Sequence, residues 1–251
     1  MSDIKAGRVL GVLGGMGPLA SAQFMLRLTL LTPAARDQDH VPAVLWSDPR
    51  VPDRAAAWGG TGSDALPWLV RGLHGLAMAG CGAVAIPCNT AHGWIDGMRA
   101  ATALSILHIV DATAAELRRL VPPGQVGIMG TAATLAMRLY QDPLMAAGWP
   151  CIEPTASEMA RLVLPAIAAV KANRLSDAYA PLAEAVMALR ARGAQAVVLG
   201  CTEVPLGLQA GPDEGLGVPL VDTIDALARA SIAWAQGGAP ESAKPGRVAD
   251  L

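Results

Sequence analysis

Gly127-Ile128-Met129-Gly130, with Leu135-Ala136 a few residues on, repeats an earlier stretch, Gly11-Val12-Leu13-Gly14 with Leu19-Ala20. Between the two lies Val121-Pro122-Pro123-Gly124, a run that neither a helix nor a central strand accommodates. The chain therefore stops and starts again near its middle. Two further segments recur in the same order. Gly82-Ala83-Val84-Ala85-Ile86 leads to Cys88, and Gly193-Ala194-Gln195-Ala196-Val197 leads to Cys201. Ile109-Val110-Asp111 has its counterpart in Leu220-Val221-Asp222. The three pairs lie 116, 113 and 111 residues apart. Any one match is weak, because βα units look alike. Three in order at nearly one spacing indicate a duplicated half.

Apolar periodicity fills in the elements. Buried strands are expected at 9–13, 41–46, 83–87, 106–110, 126–130, 196–200 and 218–221. Helices are expected at 18–31, opened by Pro18 in its first turn, and at 111–120, 133–147, 157–171, 179–192 and 223–235. Another carries Leu66, Leu69, Val70, Leu73, Leu76 and Ala77 on one face. The Gly/Ala/Pro-rich end, 237–251, reads as a loose tail. Alternating strands and helices define the class as α/β: two similar α/β domains with mainly parallel sheets, related by a pseudo-two-fold, with a cleft between them. The expected division is 1–105 plus 220–251 for the first domain, closed by the C-terminal helix, and 106–219 for the second.

Composition narrows the function. Of 251 residues 53% are hydrophobic and 16% charged, which suits a packed globular chain. The net charge of −2 advertises no basic face, so nucleic acid is not an expected partner. The mean hydropathy is positive, +0.39, but the apolar runs are short and broken by Gly, Pro, Arg or Asp. None approaches the roughly 20 residues of a membrane span. Met1-Ser2-Asp3-Ile4-Lys5 lacks a secretory pattern, and a cytoplasmic location is the expectation. Cys81, Cys88, Cys151 and Cys201 are widely spaced without CxxC pairs, so reduced thiols are expected rather than a disulfide scaffold. His40, His74, His92 and His108 show no metal-ligand spacing with a cysteine. Gly15-Met16-Gly17-Pro18-Leu19-Ala20 fits a dinucleotide GxGxxA, yet no acidic residue ends a convincing second strand about 20 residues on.

Ligands of open α/β sheets bind at the carboxyl ends of strands, where Cys88 and Cys201 both fall. Duplication then implies two thiols facing each other across one pocket. Inverting a stereocentre needs a proton removed from one face and another delivered to the opposite face. A thiol, with its ordinary pKa near 8.5, is accessible in both forms and suits either half of that task. The residues after each cysteine, Asn89-Thr90 and Thr202-Glu203, lead into candidate helix starts, whose amides stabilise an anion. Cys81 and Cys151 have no such counterparts and read as structural.

Gly14-Gly15-Met16-Gly17-Pro18, Pro52-Asp53-Arg54, Pro87-Cys88-Asn89-Thr90-Ala91-His92 and Gly200-Cys201-Thr202-Glu203 together resemble the aspartate/glutamate racemase family, and its aspartate racemase branch most closely. Thr32-Pro33-Ala34 with Arg36-Asp37-Gln38 is similar to that branch as well, and the match runs from about residue 8 to 235. The resemblance implies an amino-acid racemase with its site between two domains, no cofactor, and a homodimer. It implies Cys88 and Cys201 as the acid/base pair. Arg54 and Lys171 would bind an acidic side chain. Asn89, Thr90, Thr202, Thr131 and Thr134 would hold the α-carboxylate, with Met16 and Glu203 also in the pocket. His92 is expected to stand behind Cys88 rather than act on the substrate. Where that branch continues Pro-Asp-Arg with Thr, this chain has Ala55, and Ser47-Asp48-Pro49 replaces a usual Asn-rich segment. The choice of amino acid is therefore open. Alternatives of the same architecture are hydantoin racemases, maleate isomerases and arylmalonate decarboxylases; a non-catalytic two-lobed ligand binder is a further class.

Overall fold

The computed structural model describes residues 8–211 and 215–238; most of the expected tail lies outside them. Eight strands run in chain order: β1 (Leu10–Gly14), β2 (Ala43–Ser47), β3 (Ala83–Ala85), β4 (Ser105–Leu107), β5 (Val126–Gly130), β6 (Cys151–Ile152), β7 (Val197–Gly200) and β8 (Leu220–Asp222). They form two four-stranded sheets, ordered β2-β1-β3-β4 and β6-β5-β7-β8. Every pairing is parallel. The identical order makes the duplication visible: β1 corresponds to β5, and β3 to β7.

Side chains alternate across the first sheet as a strand period of two requires. Leu10, Val12, Ala83, Ala85 and Leu107 join one core, while Leu13, Val84, Ile86 and Ile106 join another. The second core is closed by Leu69, Leu73 and Leu76 of the helix Leu66–Met78. The first core continues into the second sheet, taking in Val126, Ile128, Val197 and Val198. Between the sheets run the helices Ile109–Leu120 and Thr223–Ala235, which pack on each other; the latter also packs on Pro18–Leu31. A bidentate pair from Arg27 to Asp225, 2.6 and 2.7 Å, ties those last two helices together. Among the described residues no helix is long and apolar enough to cross a membrane.

Some expected boundaries shift, each for a local reason. Ile109-Val110 belongs to the helix that follows β4, because the His108 ring caps it by accepting from the Val110 N–H. The expected helix 133–147 is two short ones, Ala132–Ala136 and Gln141–Ala146, interrupted at Arg138, which adopts a positive φ of 53°. Residues 156–171 are helical throughout but contain a π-turn at Met159–Val163. The two-residue strand β6 offers too short an apolar signal to be read from sequence. Strand pairing puts 105–107 in the first sheet and 220–222 in the second.

The turn after β1 requires glycine. Gly15 has φ +92°, and a Cβ there would lie 2.5 Å from the backbone N, C and O of Asp48. Gly15→Ala should cost at least about 1–3 kcal/mol from the backbone conformation alone, with the clash in addition. Urea unfolding measures it; a midpoint equal to the parent chain's would contradict this account of the turn.

Candidate active site

Cys201 is the first residue after β7, and Cys88 comes three residues after β3, the equivalent strand. Both are buried, and both line one cavity with Met16, Asp53, Arg54, Ala55, Asn89, Thr90, Thr131, Lys171, Thr202 and Glu203. The cavity is small, about 30 Å³. It adjoins a wider vestibule of about 640 Å³ that shares Asp53, Arg54, Lys171 and Glu203. The turn after β1 supplies Met16 to the wall, and brings Gly17 so close to Glu203 that a Cβ there would lie 3.3 Å from Oε1. Lys171 comes from the C-terminal end of the helix Leu164–Lys171.

The two thiols have different surroundings. Burial and, less strongly, the Glu203 charge raise the pKa of Cys88, while the Arg54 charge, the Ala91 N–H and the Lys171 charge work against them. Burial also raises Cys201 well above its ordinary value, and Glu203 adds to the effect by charge and by accepting the Cys201 S–H at 3.0 Å on Oε2. The Glu203 N–H and Lys171 oppose that rise only in part. Both thiols are thus held toward the protonated form, and the proton of Cys201 has the Glu203 carboxylate as its acceptor.

Three hydroxyls meet from the two halves. Thr90 Oγ1 lies 3.1 Å from Thr131 and 2.9 Å from Thr134, and Thr131 and Thr134 are 2.9 Å apart. Thr131 also caps the helix Ala132–Ala136 through the Thr134 N–H at 3.1 Å. Thr90 and Thr131 reach the cavity; Thr134 is fully buried behind them and is not part of its wall. Arg54 is half-buried. Its Nη1 donates to the carbonyls of Val51 and Pro52, at 3.1 and 3.0 Å, and its buried Nε has no partner. Asp53, not singled out for the site in the sequence though it stands in the Pro-Asp-Arg motif, caps the helix Arg54–Trp58 through the Ala55 and Ala56 N–H groups, both at 2.9 Å. Burial pushes its carboxyl up, but the Ala56 N–H and the Lys171 and Arg54 charges prevail and hold it below its ordinary range.

His92 stands behind Cys88. The Ile109 N–H donates to its Nε2 at 3.3 Å, so Nδ1 carries the proton and donates to the Cys88 carbonyl at 3.0 Å. The ring thereby links the loop bearing Cys88 to the start of the helix Ile109–Leu120. The four cysteines are unpaired, and Cys81 and Cys151 lie outside the cavity. Among the described residues no group of three His, Cys, Asp or Glu is placed to hold a metal ion.

Two α/β lobes of identical strand order thus each bring one thiol to a common cavity. Residues 13–231 match the family model described as Asp/Glu/Hydantoin racemase, and the chain belongs to that family. It is accordingly an isomerase of the racemase type. Among its relatives is the broad specificity amino-acid racemase RacX of Bacillus subtilis (strain 168), 25% identical over 230 residues that cover 89% of this chain and 96% of that one. The solved structure of Picrophilus torridus aspartate racemase superposes with a TM-score of 0.79 at 28% identity, covering 93% of this chain and 96% of that one. Glutamate racemase from Campylobacter jejuni subsp. jejuni shares the fold, with a TM-score of 0.63 at 19% identity over 88% and 83% of the two chains.

Burial holds His92 down at about pKa 4, against about 6.5 in an unfolded chain. Between those values the unfolded state binds the extra proton. Stability from this group is therefore complete above pH 6.5 and is lost as pH falls toward 4, on the order of 3 kcal/mol in all. Comparing urea midpoints of the parent and His92→Gln from pH 7 to 4 should show a shallower fall in the variant. Parallel curves would mean that His92 does not carry this pH dependence.

Proposed function

We propose that this chain racemises an amino acid without a cofactor, that Cys88 and Cys201 exchange protons with opposite faces of the α-carbon, and that aspartate or glutamate is its substrate. The observation that carries the proposal is the pair of thiols, delivered from equivalent strand ends of two sheets into one cavity. In one direction the Cys88 thiolate takes the Cα proton while the Cys201 thiol gives its own to the other face. The enzyme is then left with a Cys88 thiol and a Cys201 thiolate, the form that runs the reverse reaction. Glu203, already accepting the Cys201 S–H, is suited to keep that proton in place until it is needed.

The obstacle is the weak acidity of the Cα–H. Negative charge spreads onto the α-carboxylate as the proton leaves, and fixed donors there lower the barrier. The Thr90, Thr131 and Thr202 hydroxyls and the Asn89 amide are the donors that the wall offers, with Thr134 holding two of those hydroxyls from behind. An acidic side chain finds two cations, Arg54 and Lys171, where the cavity opens into the vestibule. The aspartate racemase relative supports an acidic substrate; the broad specificity relative supports a wider choice among amino acids. We also infer a homodimer from the family resemblance; light scattering tests the dimer.

Chiral chromatography of L- and D-aspartate, glutamate and several neutral amino acids, without added pyridoxal phosphate, tests the whole reading. In D₂O the product should carry deuterium at Cα. Cys88→Ser and Cys201→Ser should each lower turnover at least about a hundredfold. Full activity in either variant removes that thiol from the mechanism. Arg54→Gln should raise KM for acidic substrates by about tenfold and leave neutral ones unaffected. Turnover of neutral amino acids alone would overturn the acidic assignment.

A further inference from the structure

Asn89 lines the cavity beside Cys88, yet most of its side chain is committed to the protein. Its Oδ1 accepts from the Tyr140 hydroxyl. Its Nδ2 donates to Thr223 Oγ1 at 3.2 Å, and the Thr223 hydroxyl donates onward to the Leu199 carbonyl at 3.0 Å. A hydroxyl has one proton. Thr223 has placed its proton on Leu199, so toward Asn89 it only accepts, and the amide nitrogen must face it. The amide oxygen is then turned to Tyr140, whose phenol must donate. Burial raises the phenol pKa above its ordinary value, so the proton stays on it. The amide nitrogen has a second proton. That N–H is the group Asn89 has left to offer the cavity.

Tyr140 is fully buried between the two thiol-bearing loops. Its hydroxyl holds the residue after Cys88, and its ring lies against the residue before Cys201: a Cβ on Gly200 would come 3.3 Å from Tyr140 Cε2. We propose that Tyr140 is a positioning residue for the reaction. It locks the Asn89 amide so that an N–H and not a carbonyl faces the cavity, which selects a carboxylate over an ammonium group at that spot. The inference rests on the racemase reading above for the identity of the substrate, but the carboxylate preference follows from the hydrogen-bond directions alone.

A double-mutant cycle on Tyr140→Phe and Asn89→Ala tests it, read by KM and kcat for the racemised amino acid and by the calorimetric Kd for succinate, a carboxylate probe without an amino group. Tyr140→Phe should weaken succinate binding and raise KM by about tenfold. In the Asn89→Ala background the same substitution should change neither by more than about twofold, because its effect passes through Asn89. A merely structural role would lower the melting temperature and act equally in both backgrounds, and that result would overturn the proposal; so would an unchanged Kd in Tyr140→Phe. Should Tyr140→Phe fail to fold, Thr223→Val releases the same amide from its other side and must show the same coupling to Asn89. A parent chain that binds succinate through Asn89 but exchanges no Cα proton would sink the proposed function and leave this inference standing.

Discussion

In a parallel sheet every strand points the same way, so all the loops able to carry chemistry gather at one edge. A lobe built on such a sheet can approach a ligand only from that edge. Two copies of the lobe with their edges turned together give a cleft whose walls come from corresponding positions. The identical strand orders leave β3 and β7 in equivalent places, so the residues that follow them are brought together by topology. Helices Ile109–Leu120 and Thr223–Ala235 hold this arrangement by lying between the sheets within a shared core.

Placing thiols in such a cleft creates an energetic conflict. Burial disfavours a thiolate, but proton abstraction needs one. Both thiols stay raised, but their surroundings differ: the Arg54 charge and the Ala91 N–H oppose burial near Cys88, while Glu203 accepts the proton at Cys201. Buried polar groups nearby face the rule that each must find a partner. Thr90, Thr131 and Thr134 bond to one another, and Asn89 bonds to Tyr140 and Thr223 with one amide N–H left over. These bonds join residues from the two halves of the chain, so the cross-bracing of the cleft and the polarity of its wall come from the same groups.

Much of this was legible before any coordinates. The repeated Gly-rich openings and the two cysteine motifs carried the fold class and the thiol pair, because β1/β5 and β3/β7 are continuous apolar runs with clear stops. Segments with mixed signals were less readable. Ile109-Val110 looks like a strand by composition and becomes helical only because His108 caps it. In 133–147 only Pro143, which fits a helix start better than a helix interior, signals the break the chain makes at Arg138. Tyr140 could not be found from its neighbours in sequence: it matters through Asn89 and Gly200, 51 and 60 residues away. The Thr134 hydroxyl lies behind the cavity wall, bonded to Thr131 and Thr90, a depth that sequence spacing does not convey.

The core that runs unbroken from Leu10 and Val12, past Ile109 and Leu227, to Val126 and Val198 has a consequence for ancestry. A half-length forebear with this sequence would have shown that apolar face to water, and would have had to pair with a twin to hide it. Joining the two halves in one chain through the proline-rich midpoint makes such a pairing permanent and lets the halves differ. One could then keep Arg54 and the other Glu203, an inequality that a symmetric assembly of identical chains is barred from acquiring.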